Sequence, residues 1–408
     1  MDSRRLGELN EAAALGHLLE RGPLTRGDLR ELTGLAKPTA SDVVRRLRAA
    51  GLVRVVGRTS RGRGPNAEVY AVDPDAAFAA AVSVRAKDST LVTAVCDLAG
   101  EVRARTETPV DFAHADAAPA VHDAVRVAAR RAGVALRRIG HVQLGVPGSV
   151  PEGAEVIHHV DVPGWGRPGV VAEIRKRLRT RVTADNDVNL AAVAERRHGI
   201  ASGVDGFALL WLGEEGLGLA IDLGGTLLRG ARGGAGEVGY MPVGLPPAGG
   251  VHDFHDLVSG SAVRDLARRH GIRSRTGHAA VTRAVSTATS EATGTAAGKT
   301  AGAAARTVDT AASTGAAADE FLDALAVRVA VGVAVVVAVL DPPLVVLAGE
   351  VGRAGGGTLA TRVERALREL SVLHTEIATT GVREDAVVLG ALDTSLASVR
   401  RRLTGLDP

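Results

Sequence analysis

Residues 25–53 read TRGDLRELTGLAKPTASDVVRRLRAAGLV. Thr25 is a good N-cap, because its hydroxyl can accept from an amide of the first helical turn, and Leu29 and Leu32 follow as inward-facing positions. Gly34 marks a turn. A second helix then runs to Gly51, with Pro38 in its first turn, where a missing amide proton is harmless. Two short helices across a tight turn are a helix-turn-helix pattern. Just upstream, residues 9–20 place Leu9, Ala12, Leu15 and Leu19 on one side of a further helix, expected to pack beneath the pair. In the last helix Ala40, Val44 and Leu47 form the buried stripe, which turns Lys37, Thr39, Ser41, Asp42 and Arg45 outward. Lys37, Thr39, Ser41 and Arg45 are the candidates for base edges and phosphates. Asp42 repels phosphate, so it either accepts from a cytosine amine or turns away from the groove.

The next run, RVVGRTSRGRGPNAEVYAV (residues 54–72), holds two β-rich segments around Arg58, Arg61 and Arg63, broken by Gly57, Gly62, Gly64 and Pro65. It reads as a hairpin wing. The Gly-Arg-Gly context favours phosphate or minor-groove contact over a merely solvated loop. Charge agrees: residues 1–70 hold 13 Lys and Arg against 8 Asp and Glu, whereas the rest of the chain is slightly acidic. A positive field confined to the reader is what a phosphate backbone selects. A helix-turn-helix used as a structural or protein-binding module is the bland alternative.

At 408 residues and 46% apolar content, the chain can bury a small domain and a larger bilobal one. The expected division is a winged helix-turn-helix over residues 1–72 and an α/β body over 73–408. Cys96 is the only cysteine, which excludes an intramolecular disulfide and a thiolate zinc cluster and fits a reducing cytoplasm. The N-terminus lacks the apolar core of a signal peptide. The most apolar run, residues 329–340, looks too short to cross a bilayer, so no membrane is expected.

After Asp73-Pro74 strands and helices alternate. Strands are expected at 78–84, 90–96, 141–146, 182–184 and 207–212, helices at 118–132, 170–178 and 188–198, a strand and hairpin at 217–228, and a late strand at 344–347. This alternation argues an α/β fold with mixed sheets. Residues 279–318 form a low-complexity Ala/Thr/Gly/Ser tract, expected as loose helices or a partly disordered surface insertion.

Several segments together resemble the ROK family of sugar kinases and sugar-responsive repressors: GVPGSV (145–150), DVPGW (161–165), ADNDVNLAAVAE (184–195) and LLRGARGGAGEVGY (227–240). VVLAGEVGRAGG (345–356) resembles the segment that faces the nucleotide base in family kinases. The resemblance implies a bilobal actin-like, hexokinase-like ATPase fold behind the winged reader. It also implies that Asp187 stands where the catalytic base would deprotonate a sugar hydroxyl. Asn186 and Glu237 would contact sugar hydroxyls. Asp161 stands where the family has Asn, Tyr240 where it has a histidine, and His255 where it has a glutamate; these too are candidate effector contacts.

Departures from the family pattern favour a regulator. The phosphate-loop positions read Ser83-Val84-Arg85, so the metal-holding aspartate is gone and an arginine replaces a glycine that lets phosphate approach the backbone. Asp222-Leu223-Gly224-Gly225-Thr226 spells the missing loop, but its register puts it at a hairpin turn. The family zinc site is absent, and His252, Asp253, His255 and Asp256 are expected to be solvated or structural, so no cofactor is expected. The implied function is a non-catalytic cytoplasmic transcription regulator, a repressor by family branch. It would bind double-stranded operator DNA as a homodimer or homotetramer and sense a sugar-like effector, with Asp187 a vestige of catalysis. A sugar kinase that also binds DNA, and a ligand-independent DNA-binding dimer, are the alternatives.

Overall fold

The computed structural model describes residues 3–59, 67–151, 156–158, 160, 162–244, 252–297 and 305–405. Arg61, Arg63 and Asp161 lie outside the described residues. The chain divides into two compact units, one of residues 1–190 with 387–408 and one of residues 191–386.

The first unit begins with α1 (Ser3–Arg21), β1 (Leu24–Thr25), α2 (Arg26–Thr33), α3 (Lys37–Ala49), β2 (Val53–Thr59) and β3 (Ala67–Val72). Thr25 caps α2 as its chemistry predicts. Its hydroxyl accepts from the Asp28 amide at 3.2 Å, and the Asp28 carboxylate accepts from the Thr25 amide at 2.9 Å, completing a capping box. Gly34 ends α2 in the left-handed region, φ 69°. Strands β2 and β3 pair antiparallel as a wing, and β1 adds to the other side of β3, a strand too short to show in the sequence. Helix α1 starts six residues before the expected start. Its buried face is Ala14, Leu15 and Leu18, while Leu9 is exposed, because only the second half of the helix lies over the reader core.

The same unit continues with β4 (Phe78–Arg85), β5 (Thr90–Asp97), β6 (Val102–Pro109), α4 (Ala117–Arg131), β7 (Ile139–Val146), α5 (Val170–Leu178) and β8 (Arg181–Asn186). The strands form one sheet in the order β6-β5-β4-β7-β8, antiparallel through the hairpins and parallel from β4 to β8. The central strands are apolar on both faces and read as continuous runs; edge strand β6 alternates and exposes Val102, which hid it from the sequence. Helix α6 (Asp187–His198) follows directly on β8.

The second unit holds β9 (Phe207–Leu212), β10 (Leu217–Leu223), β11 (Thr226–Leu227), α7 (His255–Val258), α8 (Gly260–Arg269), α9 (Gly277–Ala297), α10 (Ala305–Leu340), β12 (Leu344–Ala348), α11 (Gly349–Leu370) and β13 (Glu376–Thr379). Its sheet order, β11-β10-β9-β12-β13, repeats that of the first unit: three antiparallel strands, then two parallel additions. Helix α12 (Ala386–Leu403) returns to the first unit, where Ser395 bonds the buried His141 of β7.

One expectation is met in part and another needs correction. The low-complexity tract is helical at both ends, and Ala280, Val281 and Ala284 of α9 sit in the core of the second unit. Alanine fills the space between close-packed helices there. The apolar run at 329–340 is the end of a longer segment, residues 315–340 of α10, which is long and apolar enough to cross a bilayer by length and composition. Half of its most apolar window is buried, and Phe321, Leu325, Val329 and Val333 are fully enclosed in the core. Small and polar residues upstream masked its length.

Candidate nucleic-acid interface and effector-binding residues

Helix α3 buries Ala40, Val43, Val44 and Leu47, so the opposite side is fixed by geometry. Lys37, Ser41 and Arg45 recur every four residues along the outer face, and Arg48 continues the row. The Ser41 hydroxyl donates to the Lys37 carbonyl at 3.0 Å, leaving its oxygen lone pairs outward. Asp42 is half-exposed and forms an ion pair with Arg45 at 2.9 Å, which resolves its oddity: it orients the arginine and offsets part of its charge. Thr39 is partly exposed, like Ser41, but on a different flank of the helix. It stands seven residues from Arg46, on the flank where Arg46 pairs with Glu11 of α1 at 3.1 Å.

On the wing, Arg58 lies directly across from Glu68. The Tyr70 hydroxyl donates to the Glu68 carboxylate and is the main cause of its lowered pKa; burial opposes the shift, and Arg26, Arg48 and Arg58 nearby add to it. Arg26 reaches Glu68 at 3.4 Å and lies over the Tyr70 ring, 5.8 Å from its centre. The reader therefore has a cationic rim of Arg26, Arg48 and Arg58 around one carboxylate. Arg26 and Arg48 were missed in the sequence, although Arg48 follows Arg45 at helical spacing.

In the first unit Asn186 and Asp187 occupy the junction of β8 and α6. The Asn186 amide group donates to the Gly148 carbonyl at 3.1 Å, while its oxygen accepts from the Val188 and Asn189 amides at 2.8 and 3.1 Å. Asn186 thus ties the GVPGSV turn to the start of α6. Asp187 begins that helix with its carboxylate at the positive N-terminal end.

In the second unit Glu237 belongs to a loop seated on β10. Gly236, φ 92°, lies against the strand so closely that an added Cβ would come within 1.8 Å of the Leu219 carbonyl oxygen, and the Leu219 amide donates to the Gly236 carbonyl at 3.0 Å. Only glycine permits this approach. Tyr240 is 71% exposed and His255 is exposed. The backbone pairing of Val243 with His252 and of Met241 with Phe254 brings the segments that carry them together.

Both candidate phosphate loops are built into strand pairing. Ser83 and Val84 are buried in β4, and Arg85 leads into a tight turn to β5. Asp222 is 4% exposed and pairs with Arg196, which also donates to the Val204 carbonyl and lies over Phe207 at 5.2 Å. Its carboxylate accepts from the Gly225 amide at 2.8 Å. Gly224 and Gly225, φ 61° and 88°, form the two-residue turn of the β10–β11 hairpin that the sequence register predicts. Asp253, His255 and Asp256 bring ligand atoms within 4.8 Å of one another. Asp253 and Asp256 exchange side-chain to amide bonds at 3.2 and 3.4 Å, the form of a local cap at the start of α7.

The fold and these residues define a winged helix-turn-helix protein with an α/β body of duplicated sheet topology. The ROK family model matches residues 82–397, and a MarR family model matches residues 8–64. The chain belongs to the ROK family. It is 24% identical over 247 residues to the DNA-binding transcriptional dual regulator NagC of Escherichia coli strain K12, a match that covers 58% of each chain. It is 32% identical over 108 residues to a glucokinase of Halalkalibacterium halodurans, covering 26% of this chain and 32% of that one. The matches thus span about a third to somewhat over half of these relatives' lengths. The crystal structure of a ROK family transcriptional regulator, a homologue of the E. coli MLC protein, superimposes with TM-score 0.66 at 19% identity, covering 98% of this chain and 99% of that one, a likeness of fold.

Proposed function

We propose that this chain is a sugar-responsive transcriptional repressor that binds duplex operator DNA through α3 and the β2–β3 wing and transfers no phosphate. The observation that carries this is the pairing of a capped, cation-rimmed reader with a body whose Asp222-Leu223-Gly224-Gly225 loop is committed to a hairpin turn and an internal ion pair. The family matches at both ends of the chain support it. Asn186 and Asp187 in the first unit, and Glu237, Tyr240 and His255 in the second, are the described groups assigned to effector hydroxyls, with Asp161 completing the set. The regulator works in the cytoplasm on a symmetric operator, as a homodimer or homotetramer, with no resident cofactor. An effector shifts DNA affinity by binding two conformations unequally.

The test is selection of sheared host DNA by the purified full chain, with and without a panel of sugars and sugar phosphates. Enrichment of a palindromic site that responds to one compound supports the proposal, and absence of any enriched sequence overturns it. Retention of Asp187 and the partial likeness to a glucokinase favour a second reading, a sugar kinase. Sugar-dependent ATP turnover abolished by Asp187→Asn would establish that instead.

A further inference from the structure

A cavity of about 600 Å³ opens at the edge of the first unit, lined by Arg137, Arg175, Lys176, Arg179, Arg181 and Arg402 together with neutral residues; among the described residues no carboxylate lines it. Parallel pairing fixes its place. Phe78 of β4 is in register with Ile139 of β7, and His141 of β7 with Arg181 of β8, so the cavity lies at the end of the sheet where the chain arrives from the wing. At about 4.8 Å per strand, Arg181 stands roughly 10 Å across the sheet from that entry point. The entry is pinned: Arg138 donates to the Asp75 carbonyl and lies over Phe78 at 5.1 Å, while Arg103 holds Asp75 and Asp97 at 3.0 and 2.6 Å.

Part of this charge has an ordinary explanation, since Arg175, Lys176 and Arg402 lie in the last turns of α5 and α12, where cations offset the helix dipole. Arg137 and Arg181 serve no α-helix end; one lies in a 3-10 turn and the other starts a strand. Arg179 is the more telling residue. It caps α5 in the left-handed region, φ 55°, a conformation that favours glycine, yet the chain places a charged side chain there.

We propose that this cavity is a second contact for the DNA phosphate backbone, flanking the segment read by α3 and the wing. The inference rests on the repressor reading given above. Its occupant follows from charge complementarity and from its place at the end of the sheet where the chain arrives from the reader. Contacts of this kind add affinity and salt dependence without base preference.

The full chain is titrated with a random-sequence duplex of about 40 base pairs across a range of salt concentrations, beside Arg179→Gly and Lys176→Gln/Arg179→Gly. Glycine suits the backbone at position 179, so the thermal midpoint of Arg179→Gly should hold or rise. The slope of log affinity against log salt should fall in magnitude by about 0.9 for the single variant and about 1.8 for the double, with Arg58→Ala as a control for the wing. Unchanged slopes in both variants, while Arg58→Ala lowers the slope, would overturn the inference and leave the repressor reading standing. No binding by the parent chain would overturn that reading, and the inference with it. Pyrophosphate that raises the thermal midpoint of the parent but not of the double variant, with unchanged DNA slopes, would make the cavity a small-anion site and also overturn the inference.

Discussion

Asp222→Asn separates a structural aspartate from a catalytic one. The carboxylate is 4% exposed and opposes Arg196, with one of its oxygens also accepting from the Gly225 amide. Asparagine keeps an acceptor for that amide but removes the charge. Breaking a buried ion pair costs about 3–5 kcal/mol when the surviving charge is left uncompensated. Arg196 is 22% exposed and retains the Val204 carbonyl and the Phe207 ring, so the loss should be lower, about 2–3 kcal/mol. For a unit of this size each kcal/mol moves the midpoint by about 2–4 °C, giving a fall of roughly 4–12 °C by calorimetry. The paired change Arg196→Met/Asp222→Leu should recover much of it, because an apolar pair of similar volume avoids the desolvation of both charges. A midpoint within 2 °C or so of the parent, coupled to loss of an ATP-dependent activity, would refute the reasoning and make this hairpin a phosphate loop.

Thr25→Ala should remove the capping box of α2 and cost about 1 kcal/mol, seen as faster amide exchange in α2 and weaker DNA binding; equal exchange would count against the cap. Gly236→Ala forces a Cβ against the Leu219 carbonyl, so it should displace the Glu237 loop and abolish any effector response while DNA binding persists; an intact response would remove Glu237 from the site. Burial opposes the charge of Glu214, but hydrogen bonds from the His278 amide and ring and from the Gly277 amide outweigh it and lower its pKa. A lowered carboxylate pKa stabilises the fold above the unfolded-state value of about 4.3 and loses that stability as pH falls through the folded value. Glu214→Gln should therefore flatten the acid limb of a stability–pH curve, and an unchanged limb would refute the cap on α9.

The sequence exposed what local chemistry enforces. Thr25, Gly34 and Pro38 mark the reader because each favours one backbone geometry, and the apolar runs of β4, β7 and β9 mark strands enclosed on both faces. The Gly224-Gly225 turn was legible from register alone. Strand β6 was hidden because an edge strand carries charge, and α10 because its first half is alanine-rich and its apolar part splits between core and surface. Partners distant in sequence stayed invisible: Arg196 for Asp222, Glu11 for Arg46, and the convergence of Arg137, Arg181 and Arg402 on one cavity. The pairing of Asp42 with Arg45 was within reach, since three residues on a helix bring two side chains together.

The most direct test of the account is the affinity of the selected operator for the full chain with and without the responding sugar, beside Glu237→Gln. The account predicts a change of about 5–150-fold, the range of an ordinary allosteric coupling, lost in the variant while its affinity without sugar is kept. An operator affinity indifferent to every sugar, or an equal response in Glu237→Gln, would contradict it.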